Sequence, residues 1–179
     1  MDSIYFRPGY TIRDQNATHF LTFTVCGWID LFTRRVYKDI LVDSFRYCQK
    51  EKGLILNAFV IMSNHLHLIA RAKQGCILSD IIRDFKKFTH RQMIKIIESD
   101  IESRRLWMLH QFTYYASRHS KNENYQIWTN DNHPEECTGI LRIKNCCIRM
   151  RTLSGPVLLQ RQKITFIPAP LIMRVWVAF

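Results

Sequence analysis

Acid is scarce in this chain, and its scarcity is uneven. Fifteen Asp and Glu stand against 26 Lys and Arg, for a formal charge of +11 and a pI near 9.6. Such a balance favours a polyanionic partner, because neutralising phosphates and releasing their counterions drives binding to nucleic acid. Yet residues 137 to 179 hold seven of the Lys and Arg, three of the six cysteines and not one Asp or Glu. The remainder has 19 basic and 15 acidic residues, a net charge of only +4. The case for nucleic acid therefore rests on where cations cluster, not on their total.

Other absences exclude more. The six cysteines, Cys26, Cys48, Cys76, Cys137, Cys146 and Cys147, show no C-x-x-C spacing, so neither a zinc knuckle nor a disulfide framework is indicated. No apolar run reaches the ~18 residues of a membrane-spanning helix. The N-terminus lacks the basic-then-apolar layout of a secretory signal. A cytoplasmic protein with no membrane partner is expected. Its 179 residues amount to one domain, long enough to bury a real core.

What is present is organised around Leu56 to Ile69, two apolar runs about a polar break at Ser63-Asn64, which reads as a turn. After it come His65 and His67. Residues two apart on a strand point to one side, so both imidazoles aim at one spot while Leu66 and Leu68 turn into a core. That geometry can present two ligands to one divalent metal. The plainer reading is two histidines on the wet face of an amphipathic strand.

The rest of the chain alternates strands and helices. Residues 1 to 15, with Pro8-Gly9, read as a loosely held lead-in. His19 to Val25 alternates Phe20, Thr22 and Thr24 with Leu21, Phe23 and Val25, as a strand does. At its start, His19 reads as a strand-end residue packing beside a groove, or else as a third metal ligand. Lys38 to Lys52 carries apolar residues at helical spacing and stops at Gly53. A second helical stripe comprises Leu78, Ile81, Ile82, Phe85, Phe88, Ile96 and Ile97, with Phe85 and Phe88 read as core, the alternative for an aromatic beside a cation, such as Phe88 next to Lys87, being to stack on unpaired bases. Arg83, Lys86, Lys87, Arg91 and Lys95 fall off that stripe; Lys86 and Lys87 lead a candidate DNA-contacting face, whose alternative is simple solvation. Ile101 to Lys121 is a third helical stretch, and Tyr125 to Trp128 a short strand or turn after a polar loop. The order β-α-β-β-α plus an extra helix makes an α+β chain with most of a ferredoxin-like split βαβ layout, its central antiparallel sheet carrying the histidine strand and its final strand missing.

The histidine hairpin resembles the HUH motif of single-strand-specific tyrosine transposases, in which two histidines flank a hydrophobic residue on a central strand. With His19 to Thr24, Asp84 to Thr89, Asn124 to Trp128 and Asp131 to Pro134 in the same order, residues 16 to 136 are similar to the REP-associated tyrosine transposases of the IS200-like family. The resemblance implies a ferredoxin-like fold, a homodimer, single-stranded or hairpin DNA as partner, and Mg²⁺ or Mn²⁺ held by His65 and His67 with an oxygen ligand completing the site. It implies DNA cleavage and strand transfer in transposition, in which a tyrosine hydroxyl attacks the metal-polarised phosphate and leaves a 5′-phosphotyrosine. The DNA-binding residues carried by the helix would be Arg83, Lys86, Lys87 and Arg91.

The family's nucleophile precedes an Asn-Pro-Val turn, and no Asn-Pro-Val exists here. Tyr114, Tyr115 and Tyr125 do not occupy that place; Tyr125 is a weak candidate with an ordinary role as a groove-lining aromatic. Residues 1 to 136 thus read as the transposase-like domain, and 137 to 179 as a tail in a displaced reading frame. Starting from the last base of the Ser154 codon, admissible codons spell R-A-G-F-V-A-K-A-E-D-Y-I-Y-S-S-A-A-H-Y-A-G, similar to the family segment after Asn-Pro-Val. Expected, then, is a transposase with impaired catalysis, or a non-catalytic binding remnant. An unrelated ferredoxin-like metal-binding module is the remaining alternative.

Overall fold

The computed structural model describes residues 12–99, 102–118 and 124–137. The lead-in before residue 12, most of the polar loop after the third helix, and the tail from 138 lie outside the described residues. The elements run β1 (His19–Thr24), α1 (Arg35–Glu51), β2 (Leu54–Ile61), β3 (His65–Ala72), α2 (Leu78–Glu98), α3 (Arg105–Ser117) and β4 (Glu135–Glu136). They form a four-stranded antiparallel sheet ordered β2-β3-β1-β4. Since β3 is antiparallel to both neighbours, β1 and β2 run parallel with β3 between them, which is the split βαβ unit of the ferredoxin-like fold.

Strand alternation divides the apolar residues between two faces. Leu21 and Phe23 of β1, Leu66, Leu68, Ala70 and Ala72 of β3, and Phe59 and Ile61 of β2 are buried in a core with Leu41 and Phe45 of α1 and Ile82 and Phe85 of α2. Phe20, Ala58, Val60 and Ile69 form a smaller cluster with Cys137. A bulge lets β2 serve both. Its register shifts between Leu56 and Ala58, so Asn57 is extra, and Leu54 and Leu56 remain in the main core beside Phe59 and Ile61. The continuous apolar run from Ala58 to Ile61 thereby fits a strand buried on two sides. Helix α1 ends where expected: Lys52 N–H returns to the Cys48 carbonyl at 3.1 Å, and Gly53 takes the left-handed conformation (φ +74°) that closes a helix.

The final strand, expected to be missing, is present in broken form. Beyond the two residues of β4, Cys26 N–H bonds the Ile127 carbonyl, Thr129 N–H the Thr24 carbonyl, Thr22 N–H the Asn132 carbonyl and Cys137 N–H the Thr18 carbonyl. Residues 127 to 137 therefore follow the whole free edge of β1. The pairing is interrupted: Val25 faces Trp128, which in unbroken register would set His133 opposite Phe20, yet Glu135 stands there. Two extra residues are accommodated between Thr129 and Glu135, where His133 adopts a positive φ of 40°. The sequence hid this strand because Asn130 to Pro134 breaks its alternation.

Helix α2 clamps the broken strand. Lys86 Nζ donates to the Thr129 carbonyl at 2.8 Å and to Asn132 Oδ1, and lies 5.1 Å from the centre of the Phe23 ring. Trp128 Nε1 donates to Thr89 Oγ1 at 3.1 Å. Burial pushes the Lys86 amine down to about 8. Helix α3 is joined to α1 through Glu102, a buried carboxylate that accepts from Tyr37 Oη at 3.0 Å and pairs with Arg34 and Arg104. Burial opposes its charge, but the Arg104 amide and the Tyr37 and Arg104 side chains outweigh that and hold the carboxyl below its usual range.

Neighbouring lysines on α2 should therefore behave differently. Lys86→Met removes charge-assisted bonds to two groups of the edge strand and should lower unfolding free energy by about 1.5–3 kcal/mol. Lys87→Met, on the exposed face, should stay within about 0.5 kcal/mol. Urea unfolding of the two variants beside wild type measures both.

Candidate metal and nucleic-acid site

Strand β3 presents both imidazoles on the face away from α1 and α2. The register sets Thr24 opposite His65 and Thr22 opposite His67, while the intervening Leu66 is wholly buried in the helix-side core. The two rings lie 4.8 Å apart, centre to centre, at 80°. His67 is 8% exposed and stacks on Phe20 at 5.2 Å, and His65 is half-buried.

Each imidazole is held through Nδ1. His65 Nδ1 lies 2.7 Å from Asn64 Oδ1, and Asn64 Nδ2 donates to the Trp28 carbonyl at 3.2 Å. The second contact orients the amide, because only its nitrogen can donate to a carbonyl. Its oxygen must then accept from His65, so the proton of His65 is on Nδ1 and the Nε2 lone pair is free. His67 Nδ1 meets Thr22 Oγ1 at 2.9 Å. Fixing a ring through one nitrogen while the other binds is the arrangement of metal-ligating histidines. Burial pushes His65 below the ordinary imidazole range, and burial with repulsion from His65 pushes His67 down to about 4. Both are neutral near pH 7, the form that coordinates metal. The donor set fits two ligands of a divalent ion. No third His, Cys, Asp or Glu joins them among the described residues.

His19 is not that third ligand. It lies on the opposite face of β1 from Thr22, is 2% exposed, and holds the Ala17 carbonyl through Nδ1 at 2.8 Å. It is the packed strand-end residue.

The α2 cations lie elsewhere. Lys86, Lys87, Arg83, His90, Tyr125 and Asn130 line an open cleft of about 600 Å³ between α2 and the broken edge strand, on the helix side of the sheet. The sheet separates this cleft from the imidazoles. Lys86, expected with Lys87 to lead a DNA-contacting face, turns under the edge strand, where the carbonyl of Thr129 and the amide oxygen of Asn132 satisfy its charge. Arg83 pairs with Asp80 at 2.7 Å and Asp84 at 3.4 Å on its own helix. Lys87 and Arg91 are exposed. Phe85 is core as expected, but Phe88 is not: it is 52% exposed, displaced from the buried stripe at the cation-bearing face. Tyr125 packs against the helix-side core and lines the cleft, Tyr114 is exposed, and Tyr115 lies against Gly27.

Sequence reasoning treated Asn64 as a turn residue and Thr22 as a strand residue. Their service to the imidazoles could be read only from the pairing register. Trp28 went unremarked, though its ring meets His65 at 5.8 Å.

The family model for IS200-like transposases matches residues 19–130, which spans β1, β2 and β3, both histidines and all three helices. The chain belongs to the IS200-like transposase family. Its fold is similar to that of a REP-associated tyrosine transposase bound to a REP hairpin, with a TM-score of 0.52 at 17% identity over 88% of this chain and 78% of that one. It is also similar to a protein from Deinococcus radiodurans R1 assigned to the transposases, with a TM-score of 0.47 at 15% identity over 80% of this chain and 93% of that one. No curated protein matches the chain. That family is one of DNA-cleaving and rejoining enzymes. Among the described residues no helix is long and apolar enough to cross a membrane.

Replacing Asn64 tests the orienting contact. Asn64→Ala frees the His65 ring and should spread its proton over both ring nitrogens in place of Nδ1. Imidazole nitrogen NMR shifts of the variant against wild type check it.

Proposed function

We propose that this transposase binds a divalent metal, Mg²⁺ or Mn²⁺, through His65 and His67 and acts on single-stranded or hairpin DNA as a homodimer. The observation that supports the reading best is the fixed tautomer of His65, which leaves Nε2 free beside the second imidazole. When bound, the ion would polarise a scissile phosphodiester. The chain's own residues do the rest. Asn64 and Thr22 hold the rings, and Lys87 and Arg91 offer phosphate contacts along α2. The hairpin bound by the structurally similar REP-associated transposase supports the choice of DNA.

Cleavage by this chain is impaired on the same reading. Tyr125, the weak nucleophile candidate, belongs to the helix-side cleft. The frame reading of residues 137 to 179 replaces the family segment that follows the nucleophile. A non-catalytic DNA-binding remnant is thus the second reading, favoured by that tail.

Manganese EPR should show binding by wild type and its loss in His65→Ala and His67→Ala; equal binding by the double variant rejects the metal site. Hairpin and single-stranded DNA should bind more tightly than duplex of equal length, with affinity falling as salt rises. Lys87→Glu with Arg91→Glu should weaken that binding without unfolding the domain. On a labelled hairpin with Mn²⁺, little or no phosphotyrosine adduct is expected, and an abundant adduct would contradict the impairment.

A further inference from the structure

One aromatic side chain is turned outward where its neighbours turn inward. Cys26, Ile29, Leu31 and Phe32 are all buried, but Trp28 between them is 66% exposed. Its backbone takes a left-handed conformation, φ 55°, directly after Gly27 at φ 65°. For a bulky residue such a φ is a true outlier, kept only when the surroundings impose it.

The surroundings do so at several points. Trp28 N–H returns to the Val25 carbonyl at 3.1 Å, and its own carbonyl accepts from Asn64 Nδ2 at 3.2 Å. Cys26 N–H is tied to Ile127, and Val25 N–H to the Asn64 carbonyl. Gly27 lies under the Tyr115 ring so closely that an added Cβ would fall 2.7 Å from Cε2. The turn is therefore anchored to the edge strand, the histidine hairpin and α3 together. Asn64 serves two ends at once: its amide nitrogen holds the Trp28 backbone and its oxygen holds the His65 ring. The indole and imidazole planes meet at 69° with centres 5.8 Å apart, which leaves indole surface open beside the metal pair.

We propose that Trp28 is a stacking platform for an unpaired base of the DNA strand whose phosphate is held at His65 and His67. The inference rests on the reading of those histidines as the phosphate-facing metal pair. A strand with a phosphate at the imidazoles carries its flanking base one nucleotide away, within reach of a ring that already touches His65. Every base has a π-face, so such a platform favours single strands over duplex, in which bases are occupied with each other. It makes Trp28 a positioning residue that acts on the base and not on the metal.

The test uses the full chain and a fluorescein-labelled single-stranded oligonucleotide, read by anisotropy with Mn²⁺ present. Trp28→Ala should weaken binding roughly 5- to 100-fold, the range for one base on an aromatic ring. Trp28→Phe should recover most of the loss and Trp28→Leu little of it, because leucine restores apolar bulk without a π-face. Manganese EPR should match wild type in all three. Equal affinity in Trp28→Ala and wild type, or equal rescue by leucine and phenylalanine, overturns stacking while leaving the metal reading intact. Should Trp28→Ala fail to fold, the phenylalanine and leucine variants decide alone. A loss accompanied by a halved mass in sedimentation would assign Trp28 to a contact between copies and also overturn it. Wild type that binds neither metal nor single-stranded DNA overturns this inference together with the function on which it rests.

Discussion

The antiparallel pairing of β3 on both sides is the constraint from which the rest of this transposase follows. A strand hydrogen-bonded to two neighbours cannot slip, because a one-residue shift would exchange every residue between faces. Here that exchange would drive His65 and His67 into the helix-side core and expel Leu66 and Leu68. The apolar cost of misregister keeps the imidazoles on the open side and sets Thr22 within hydrogen-bonding distance of His67. The geometry of the site is thus a by-product of core packing.

The outer edge of β1 is governed by different forces. Asn130 to Pro134 lacks the alternation that would hold it as a strand, and two extra residues interrupt its ladder. Polar contacts from α2 replace the missing ones. Lys86 spans the Thr129 carbonyl and Asn132, and Thr89 receives the Trp128 indole. A buried amine is costly to desolvate, and burial lowers the Lys86 pKa, yet the Thr129 carbonyl, Asn132 and the Phe23 ring all meet its charge there. Such an edge, irregular and side-chain bonded, is also poorly suited to pairing with another chain's strand.

The two features associated with DNA lie on opposite sides of the sheet. The imidazoles and Trp28 occupy one face, and the α2 cleft the other. A strand serving both would have to pass around an edge or an end of the sheet. The turn at Gly27 and Trp28 stands beyond the end of β1, where Gly27 lies against Tyr115 of α3.

How much of this was legible beforehand depends on the range of the interaction concerned. Strand alternation in Phe20 to Val25, the helical stripe of α2 and the His65-Leu66-His67 spacing are local periodicities, and they determined the split βαβ order and the shared face of the histidines. The resemblance of residues 16 to 136 pointed to the family that the match over residues 19–130 shows. Tertiary structure decided what depends on partners far along the chain. Lys86 and Lys87 are adjacent and chemically alike, yet one meets Thr129 and Asn132, more than 40 residues away, and the other meets solvent. Phe88 and Phe85 share an apparent stripe, but only Phe85 stacks on Phe45 of α1, at 4.6 Å. Asn64 is a common turn residue in sequence; only the approach of the Trp28 carbonyl orients its amide and so fixes the proton on His65. Periodicity assigns a residue to a face, whereas the groups that meet it there are set by long-range packing that one sequence does not display.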